Sequence, residues 1–178
     1  MVVRVAAALI ALVVAVPAAS AATSTLGSTG THPYGIAIDS SGNIYTPNAG
    51  ANTITKITPG GSATTFATTG TAPSAIAIDA SGNVYTANAS ADSVTKVTPG
   101  GVAITLGSTG SGPYGIAIDS SGNVYTANYS ANTVTKITPA GTSTTLGTTG
   151  AGPIAVAVDG SGNVYTANSL GNSVTKIT

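Results

Sequence analysis

Few side chains in this sequence can act as acids, bases or nucleophiles. The 178 residues include one histidine, His32, and no cysteine, and all five acidic residues are aspartates. General acid–base and nucleophilic catalysis draw mainly on histidine, cysteine, carboxylates and activated hydroxyls or amines. The inventory therefore argues against an enzyme, and His32, which precedes Pro33, is interpreted as a loop residue.

Four of the five aspartates recur at a fixed interval of 40 residues: Asp39, Asp79, Asp119 and Asp159. Pro33, Tyr45 and Lys56 repeat with the same period, so the chain consists of four copies of one unit. Identity in every copy indicates an architectural role, because a binding site usually needs different groups at different angles. We expect these aspartates to cap backbone N–H groups in a hairpin turn. The alternative is a ring of metal-binding carboxylates.

Charge is sparse, which limits the classes of partner. Charged residues make up 6% of the chain, against about 25% in an average protein. No basic patch exists to neutralise phosphates, which argues against nucleic-acid binding. A metal site needs carboxylates that converge on one point, whereas aspartates at hairpin tips are expected to point apart. No metal and no cofactor are therefore predicted.

Each unit reads as four short strands joined by turns. In the first unit the predicted strands are residues 36–38, 44–46, 53–58 and 63–68, and the first turn is 39–43. The first strand is wholly apolar, as expected of a strand buried on both faces. No segment of the unit has helical periodicity. The sequence therefore predicts an all-β fold, a β-propeller of four four-stranded antiparallel blades.

The beginning of the chain has the layout of a secretory signal peptide. Arg4 supplies a positive charge, residues 5–16 are apolar, and Ala19-Ser20-Ala21 forms a small-x-small cleavage site. We expect residues 1–21 to be removed and residues 22–178 to form the propeller, secreted or held at the cell surface. An uncleaved membrane anchor is the alternative. After cleavage no membrane span is predicted.

The two ends of the repeat array are in register. Residues 22–30 align with the fourth strand of the unit, while Thr178 aligns with Thr58 at the end of the third strand. We expect the N-terminal strand to complete the last blade and close the ring, which leaves no free sheet edge there. A monomer with a closed four-bladed ring is predicted. The alternative is a dimer in which two chains close an eight-bladed ring.

The repeat resembles a known type of blade. Residues 113–128, PYGIAIDSSGNVYTAN, resemble the NHL repeat, which builds propellers of usually six or seven blades. The same blade style occurs in streptogramin lyases, gluconolactonase-like enzymes and receptor-kinase sensor propellers. The resemblance covers residues 22–178. Those lyases depend on histidine with an acidic partner, and the lactonases on a metal held by carboxylates and amides. Here His32 stands alone and glutamate is absent, so the resemblance implies the fold more than an activity.

Variation among the four copies is concentrated in loops on one face of the predicted ring. The candidate binding residues on that face are His32, Tyr34, Asp92, Tyr114 and Tyr129. Because loops on a rigid scaffold commonly carry recognition, we expect this face to bind an extracellular protein or glycan. The predicted function is a secreted binding or sensing module. The alternatives are a degenerate lyase or lactonase-like enzyme, and a purely structural or adhesive surface repeat.

Overall fold

The structure is a computed structural model that describes residues 23–178. The predicted signal peptide, residues 1–21, lies outside the described residues. Every regular element in the described part of the chain is a β-strand. Within residues 23–178, no helix has the length and apolarity needed to cross a membrane. The predicted all-β fold is confirmed.

The strands of residues 23–178 form four antiparallel sheets, each ordered as in the sequence. Blade 1 contains β1 (Ala37–Ile38), β2 (Ile44–Asn48), β3 (Thr53–Ile57) and β4 (Ala63–Thr68). Blade 2 contains β5 (Pro73–Ile78), β6 (Val84–Asn88), β7 (Ser93–Val97) and β8 (Ala103–Ser108). Blade 3 contains β9 (Pro113–Ile118), β10 (Val124–Asn128), β11 (Thr133–Ile137) and β12 (Ser143–Thr148). Blade 4 contains β13 (Pro153–Val158), β14 (Val164–Asn168) and β15 (Ser173–Ile177).

Local turn chemistry explains the first hairpin of each blade. In blade 1 the Asp39 carbonyl accepts a hydrogen bond from the Gly42 N–H at 3.0 Å, which closes the turn. Gly42 has a φ of 79°, a left-handed conformation that glycine adopts without a steric penalty. The strands that follow are rich in β-branched and aromatic residues, which fit a pleated, half-buried surface.

The hydrophobic core lies between blades. Where blade 1 meets blade 2, Tyr45 and Ile54 of blade 1 pack with Val84 and Val97 of blade 2. Equivalent residues form the clusters between blades 2 and 3 and between blades 3 and 4. We call each of these contacts a joint. Because neither blade can bury its apolar faces alone, the joints hold the fold together.

The innermost strands approach closely at the joint between blades 3 and 4. A Cβ atom on Gly115 would lie 2.8 Å from the Ala155 Cα and 2.9 Å from the Ile154 carbonyl oxygen. Only a glycine fits without displacing backbone there, so this small residue sets the spacing between the two strands.

The four blades form an open arc. The sheet of blade 4 has three strands, and residues 23–30 do not pair with β15. They lie against blade 1 instead, where the Gly30 N–H donates to the Thr55 Oγ1 at 3.3 Å. The prediction that the N-terminal strand completes the last blade is therefore wrong for this structure. The curvature set by the three joints keeps the two ends apart, and Ile36 and Val174 at those ends are 66% and 72% exposed.

Candidate functional site

One cavity of about 270 Å³ is lined by the innermost strands of blades 2, 3 and 4 and by residues 34–36, which directly precede β1 in blade 1. Each blade contributes one side chain from the same repeat position: Tyr34, Ser74, Tyr114 and Ile154. Tyr34 is 68% exposed and Tyr114 is 46% exposed, so both rings are accessible at the mouth. Among the described residues, no Asp, Lys or His lines the cavity. The site is therefore uncharged and partly aromatic.

A third tyrosine, Tyr129, packs beside the mouth of the cavity. The rings of Tyr114 and Tyr129 are tilted by 53°, with centroids 5.2 Å apart. Tyr129 also lies against blade 4, since a Cβ on Gly152 would be 3.0 Å from its Cε2. Aromatic pairs of this kind contribute about 0.5–1.5 kcal/mol beyond the area they bury. Tyr129 thus lies outside the cavity lining and orients the Tyr114 ring by packing against it.

Two cavity residues, Ser74 and Ile154, were not among the sequence-predicted site residues. The Ser74 hydroxyl donates to the Pro113 carbonyl at 2.7 Å and so links blade 2 to blade 3. Their shared repeat position with Tyr34 and Tyr114 was the signal that could have identified them.

His32 lies in a turn at the edge of blade 1, outside the cavity lining. Its carbonyl accepts a hydrogen bond from the Ala49 N–H at 2.9 Å. Its φ is 54°, and the equivalent residues Ala72, Gly112 and Gly152 also have a positive φ. Backbone conformation therefore accounts for the glycines in this series, because other residues adopt it at a steric cost.

Asp92 joins two blades. Its Oδ1 accepts a hydrogen bond from the Gly112 N–H at 2.8 Å. Asn52 accepts in the same way from the Ala72 N–H at 2.9 Å, and Asn132 from the Gly152 N–H at 2.8 Å. We call this bond the inter-blade latch. The structure thus gives Asp92 a structural partner, which the 40-residue spacing from Asn52 could have indicated.

The four repeated aspartates make the same bonds in every blade. Asp119 Oδ1 accepts from the N–H groups of Ser121 and Asn123, each at 2.9 Å. Its Oδ2 accepts from the Asn123 side-chain amide at 2.7 Å and from the Tyr125 hydroxyl at 2.9 Å. Both carboxylate oxygens are thus used inside the blade, and the turn explains these aspartates without a ligand.

These bonds shift the pKa of both partners. Burial opposes ionisation of Asp119, but hydrogen bonds from Asn123 and Tyr125 outweigh it and hold the pKa of that carboxyl below its usual range. In blade 4 the Asn163 side chain leads in lowering the pKa of Asp159 to about 2. Conversely, burial and then the hydrogen bond to Asp119 raise the pKa of Tyr125 to about 12.

The other charged and metal-binding types do not converge. In residues 23–178, no three His, Cys, Asp or Glu side chains come close enough together to hold a metal ion. Each lysine Nζ lies over the tyrosine ring of its own blade, as Lys56 lies 5.5 Å from the ring centroid of Tyr45. Such cation–π contacts contribute about 0.5–1 kcal/mol at exposed sites.

The sequence contains two N-glycosylation sequons, at Asn88 and Asn128. Both asparagines are fully buried. The Asn128 side-chain amide donates to the hydroxyls of Thr133 and Thr135 at 3.0 and 2.9 Å. The structure therefore assigns these residues to the blade interior, where the folded chain cannot accept a glycan.

Comparison with known proteins identifies relatives of this arc. A model of the virginiamycin B lyase family matches residues 16–178. No curated protein sequence matches the chain. The similar solved structures include lyases and a protein named for another activity. A catalytically inactive His-to-Ala variant of virginiamycin B lyase from Staphylococcus aureus, with quinupristin, superposes with a TM-score of 0.74 at 22% identity over 83% of this chain and 53% of its own.

A streptogramin B lyase superposes with a TM-score of 0.74 at 20% identity, over 84% of this chain and 52% of its own. Hydrazine synthase from Kuenenia stuttgartiensis superposes with a TM-score of 0.74 at 22% identity, over 85% of this chain and 47% of its own. The chain thus spans about half the length of the structures it matches. These similarities support a propeller of the lyase type, and the assignment to NHL-type blades stays a prediction.

Proposed function

This chain belongs to the virginiamycin B lyase family, and we propose that it works outside the cell as a binding propeller for an uncharged ligand. The lining of the central cavity carries this proposal: all four blades contribute to it, and every contributed side chain is uncharged. Ligand sites are typically concave and mostly apolar, with a few polar groups that fix orientation. The extracellular location rests on the predicted signal peptide, residues 1–21.

The two tyrosines at the mouth favour a particular kind of ligand. Tyr34 and Tyr114 offer exposed rings on blades 1 and 3, with Ile154 exposed on blade 4. Aromatic side chains bind flat apolar faces and also provide a hydroxyl for one hydrogen bond. The apolar face of a sugar ring, or an apolar side chain of an extracellular protein, fits these groups better than an anion or a cation.

The position of the histidine supports binding over catalysis. The Staphylococcus aureus lyase is described as inactive when a histidine is replaced by alanine. In the present chain His32 is the one histidine, and it lies in an exposed turn outside the cavity lining. A general acid or base must reach the proton that it transfers, within about 3 Å or through one water. His32 is poorly placed to act on a ligand held between the innermost strands.

Lyase activity is the second candidate, and family membership is the observation that favours it. Quinupristin, the molecule bound to the inactive lyase variant, is a suitable probe because it distinguishes the two functions. A binding propeller would return quinupristin unchanged. A lyase would return an altered compound that chromatography separates from the starting material.

The test uses the exported chain with two probes, quinupristin and the neutral oligosaccharide maltohexaose. Calorimetry should detect binding of at least one probe, and chromatography should recover both unchanged. Tyr114→Ala should weaken that binding about tenfold, which corresponds to ~1.4 kcal/mol. The matched control is Ile104→Ala, an exposed residue on the outer strand β8, which should bind as the parent does. Altered quinupristin, or no binding of either probe, would contradict the proposal.

A further inference from the structure

The two ends of the arc expose the two halves of a joint. At the end formed by blade 4, Val174 is 72% exposed, whereas its equivalents Val94 and Val134 are fully buried in joints. At the end formed by blade 1, Ile36 and Ile38 are 66% and 63% exposed. The apolar faces that pack together between blades elsewhere are therefore open to solvent here.

Together the open ends contain every apolar side chain of a fourth joint. The joint between blades 2 and 3 is built from Tyr85, Val94 and Leu106 on one side and from Ile116, Ile118, Val124 and Ile137 on the other. At the same repeat positions the open ends have Tyr165 and Val174 on blade 4, and Leu26, Ile36, Ile38, Ile44 and Ile57 at the blade 1 end. No position of the cluster lacks an apolar residue.

Residues 23–28 have the sequence and the position of an outer strand, which is the strand that the sheet of blade 4 lacks. Residues 25–30 have the sequence TLGSTG, which is identical to residues 105–110, the end of β8 and the residues after it. The Leu26 carbonyl oxygen lies 2.7 Å from the Cβ position of Gly61, as the Leu106 carbonyl oxygen lies 2.6 Å from that of Gly141. Residues 23–28 thus occupy the place of an outer strand from a blade preceding blade 1. Among the described residues, no strand pairs with them or with the outer edge of β15.

Both halves of a fourth inter-blade latch are preformed. Asn172, which follows the latch residues Asn52, Asp92 and Asn132 in the repeat, has a φ of 47° like them. His32, which corresponds to the latch donors Ala72, Gly112 and Gly152, has a φ of 54°. Within residues 23–178, the Asn172 side chain and the His32 N–H have no hydrogen-bond partner of this kind.

We propose that a second copy of this chain completes both ends. Each copy would provide residues 23–28 as the outer strand of the other's blade 4, with Leu26 covering Tyr165 and Val174 of that blade. Two such contacts, related by a two-fold axis, close one ring of eight blades. A head-to-tail contact closes in this way when its rotation divides the circle.

The curvature of the arc favours a second copy over closure within one chain. Four blades superpose on 53% of the Staphylococcus aureus lyase chain, so the arc needs about as many blades again to match that chain. Closing four blades alone would require tighter curvature at every joint. The joint at Gly115 is already so close that a Cβ there would lie 2.8 Å from the Ala155 Cα. Packed interiors resist such compression.

Mixing two single-cysteine variants tests the contact directly, since the chain has no cysteine of its own. Ser28 and Ser173 should face each other in the proposed pairing, because Ser108 faces Ser93 in blade 2. Air oxidation of mixed Ser28→Cys and Ser173→Cys chains should give a disulfide-linked product of twice the chain mass. The control mixture pairs Ser28→Cys with Ser120→Cys, which lies in an exposed turn, and should give none. Equal yields from both mixtures, or no product, would overturn the proposal.

A chain with both Ser28→Cys and Ser173→Cys separates the two ways of closing a ring. Linked dimers support the proposal, whereas a monomer with an internal disulfide would overturn it. A mass measurement at micromolar concentration gives an independent test. Val174→Asp should halve the mass of the parent assembly, because it places a charge in the contact. Ile104→Asp, at a residue that is also exposed but lies away from both ends, should leave that mass unchanged. The same mass for Val174→Asp and the parent would contradict the contact.

Discussion

The joints between blades and the open ends of the arc use the same residues in opposite environments. Val134 is fully buried where blade 3 meets blade 4, and Val174, 40 residues later, is 72% exposed at the end of the arc. The two residues have the same type and strand position, and each pairs with an alanine of the preceding strand. Val134 is covered by blade 4 and by its own outer strand β12, whereas Val174 has neither a following blade nor an outer strand against it. Stability in this fold therefore depends mainly on the joints. This agrees with the description of repeat proteins as a sum of repeat stabilities and nearest-neighbour interfaces.

Val134 and Val174 should show the largest difference in how much a substitution lowers the free energy of unfolding. Val134→Ala removes two buried methyl groups and should lower the free energy of unfolding by about 2–3 kcal/mol. Val174→Ala, measured in dilute solution where chains are separate, should lower it by less than about 0.5 kcal/mol. Urea denaturation of both variants measures the contrast. Equal losses would show that stability is set inside each blade and would break the comparison.

Replacing a turn aspartate should destabilise inner blades and end blades alike, because the hydrogen bonds of the aspartate stay within one blade. Asp119→Ala should lower stability by about 0.5–2 kcal/mol, as for a lost cap, and leave binding of quinupristin or maltohexaose unchanged. Asp159→Ala in blade 4 should have an effect of the same direction. Chemical denaturation measures the stability, and calorimetry measures the binding. A melting temperature that depends on added metal, and loses that dependence in Asp119→Ala, would instead assign the turns to a ligand.

The same turns predict how stability depends on pH. Folding lowers the pKa of the aspartates, to about 2 for Asp159, so their contribution is present above the unfolded pKa near 4 and is lost as the pH falls toward 2. Folding raises the pKa of Tyr125 to about 12, so its contribution is complete below pH ~10 and is lost as the pH rises toward 12. Melting temperatures across this range should fall at both ends. Asp119→Asn should flatten the acid limb, and an unchanged limb would contradict the assignment.

The smallest effect is expected at Asp92. Asn52 and Asn132 make the same latch with an amide oxygen, so Asp92→Asn should change the free energy of unfolding by no more than about 0.5 kcal/mol. Asp92→Ala removes the acceptor for the Gly112 N–H and should cost about 1 kcal/mol. Equal losses for both variants would mean that the charge of Asp92, rather than its hydrogen bond, matters at this joint.

Local features were predictable from the sequence because their causes lie within a few residues. The turn from Asp39 to Asn43 contains its own acceptor and its own left-handed glycine, so hairpins and strands could be assigned. The roles of His32 and Asp92 depend on backbone and partners from other segments, so the sequence alone places both among the candidate binding residues of the loop face. The closure of the ring depends on the curvature of three joints, which no single repeat encodes.

The fold of this molecule does not by itself specify its function. The arc superposes on two lyases and equally well on a hydrazine synthase, so the blades do not specify one activity. Side chains at the cavity mouth vary from blade to blade, whereas the turns at the other end of the first strand differ only at their second residue. The position that reads Tyr34, Ser74, Tyr114 and Ile154 is where function can differ without disturbing a joint.

Hydrogen exchange of residues 23–28 tests most directly whether the open ends are halves of one joint. In a separate chain these residues have no strand partner, and their amides should exchange rapidly. The proposed contact predicts slow exchange at micromolar concentration and rapid exchange after dilution to a concentration at which the chains separate. Rapid exchange at every concentration would contradict the contact, and slow exchange at every concentration in a chain of single mass would place the closure within one chain.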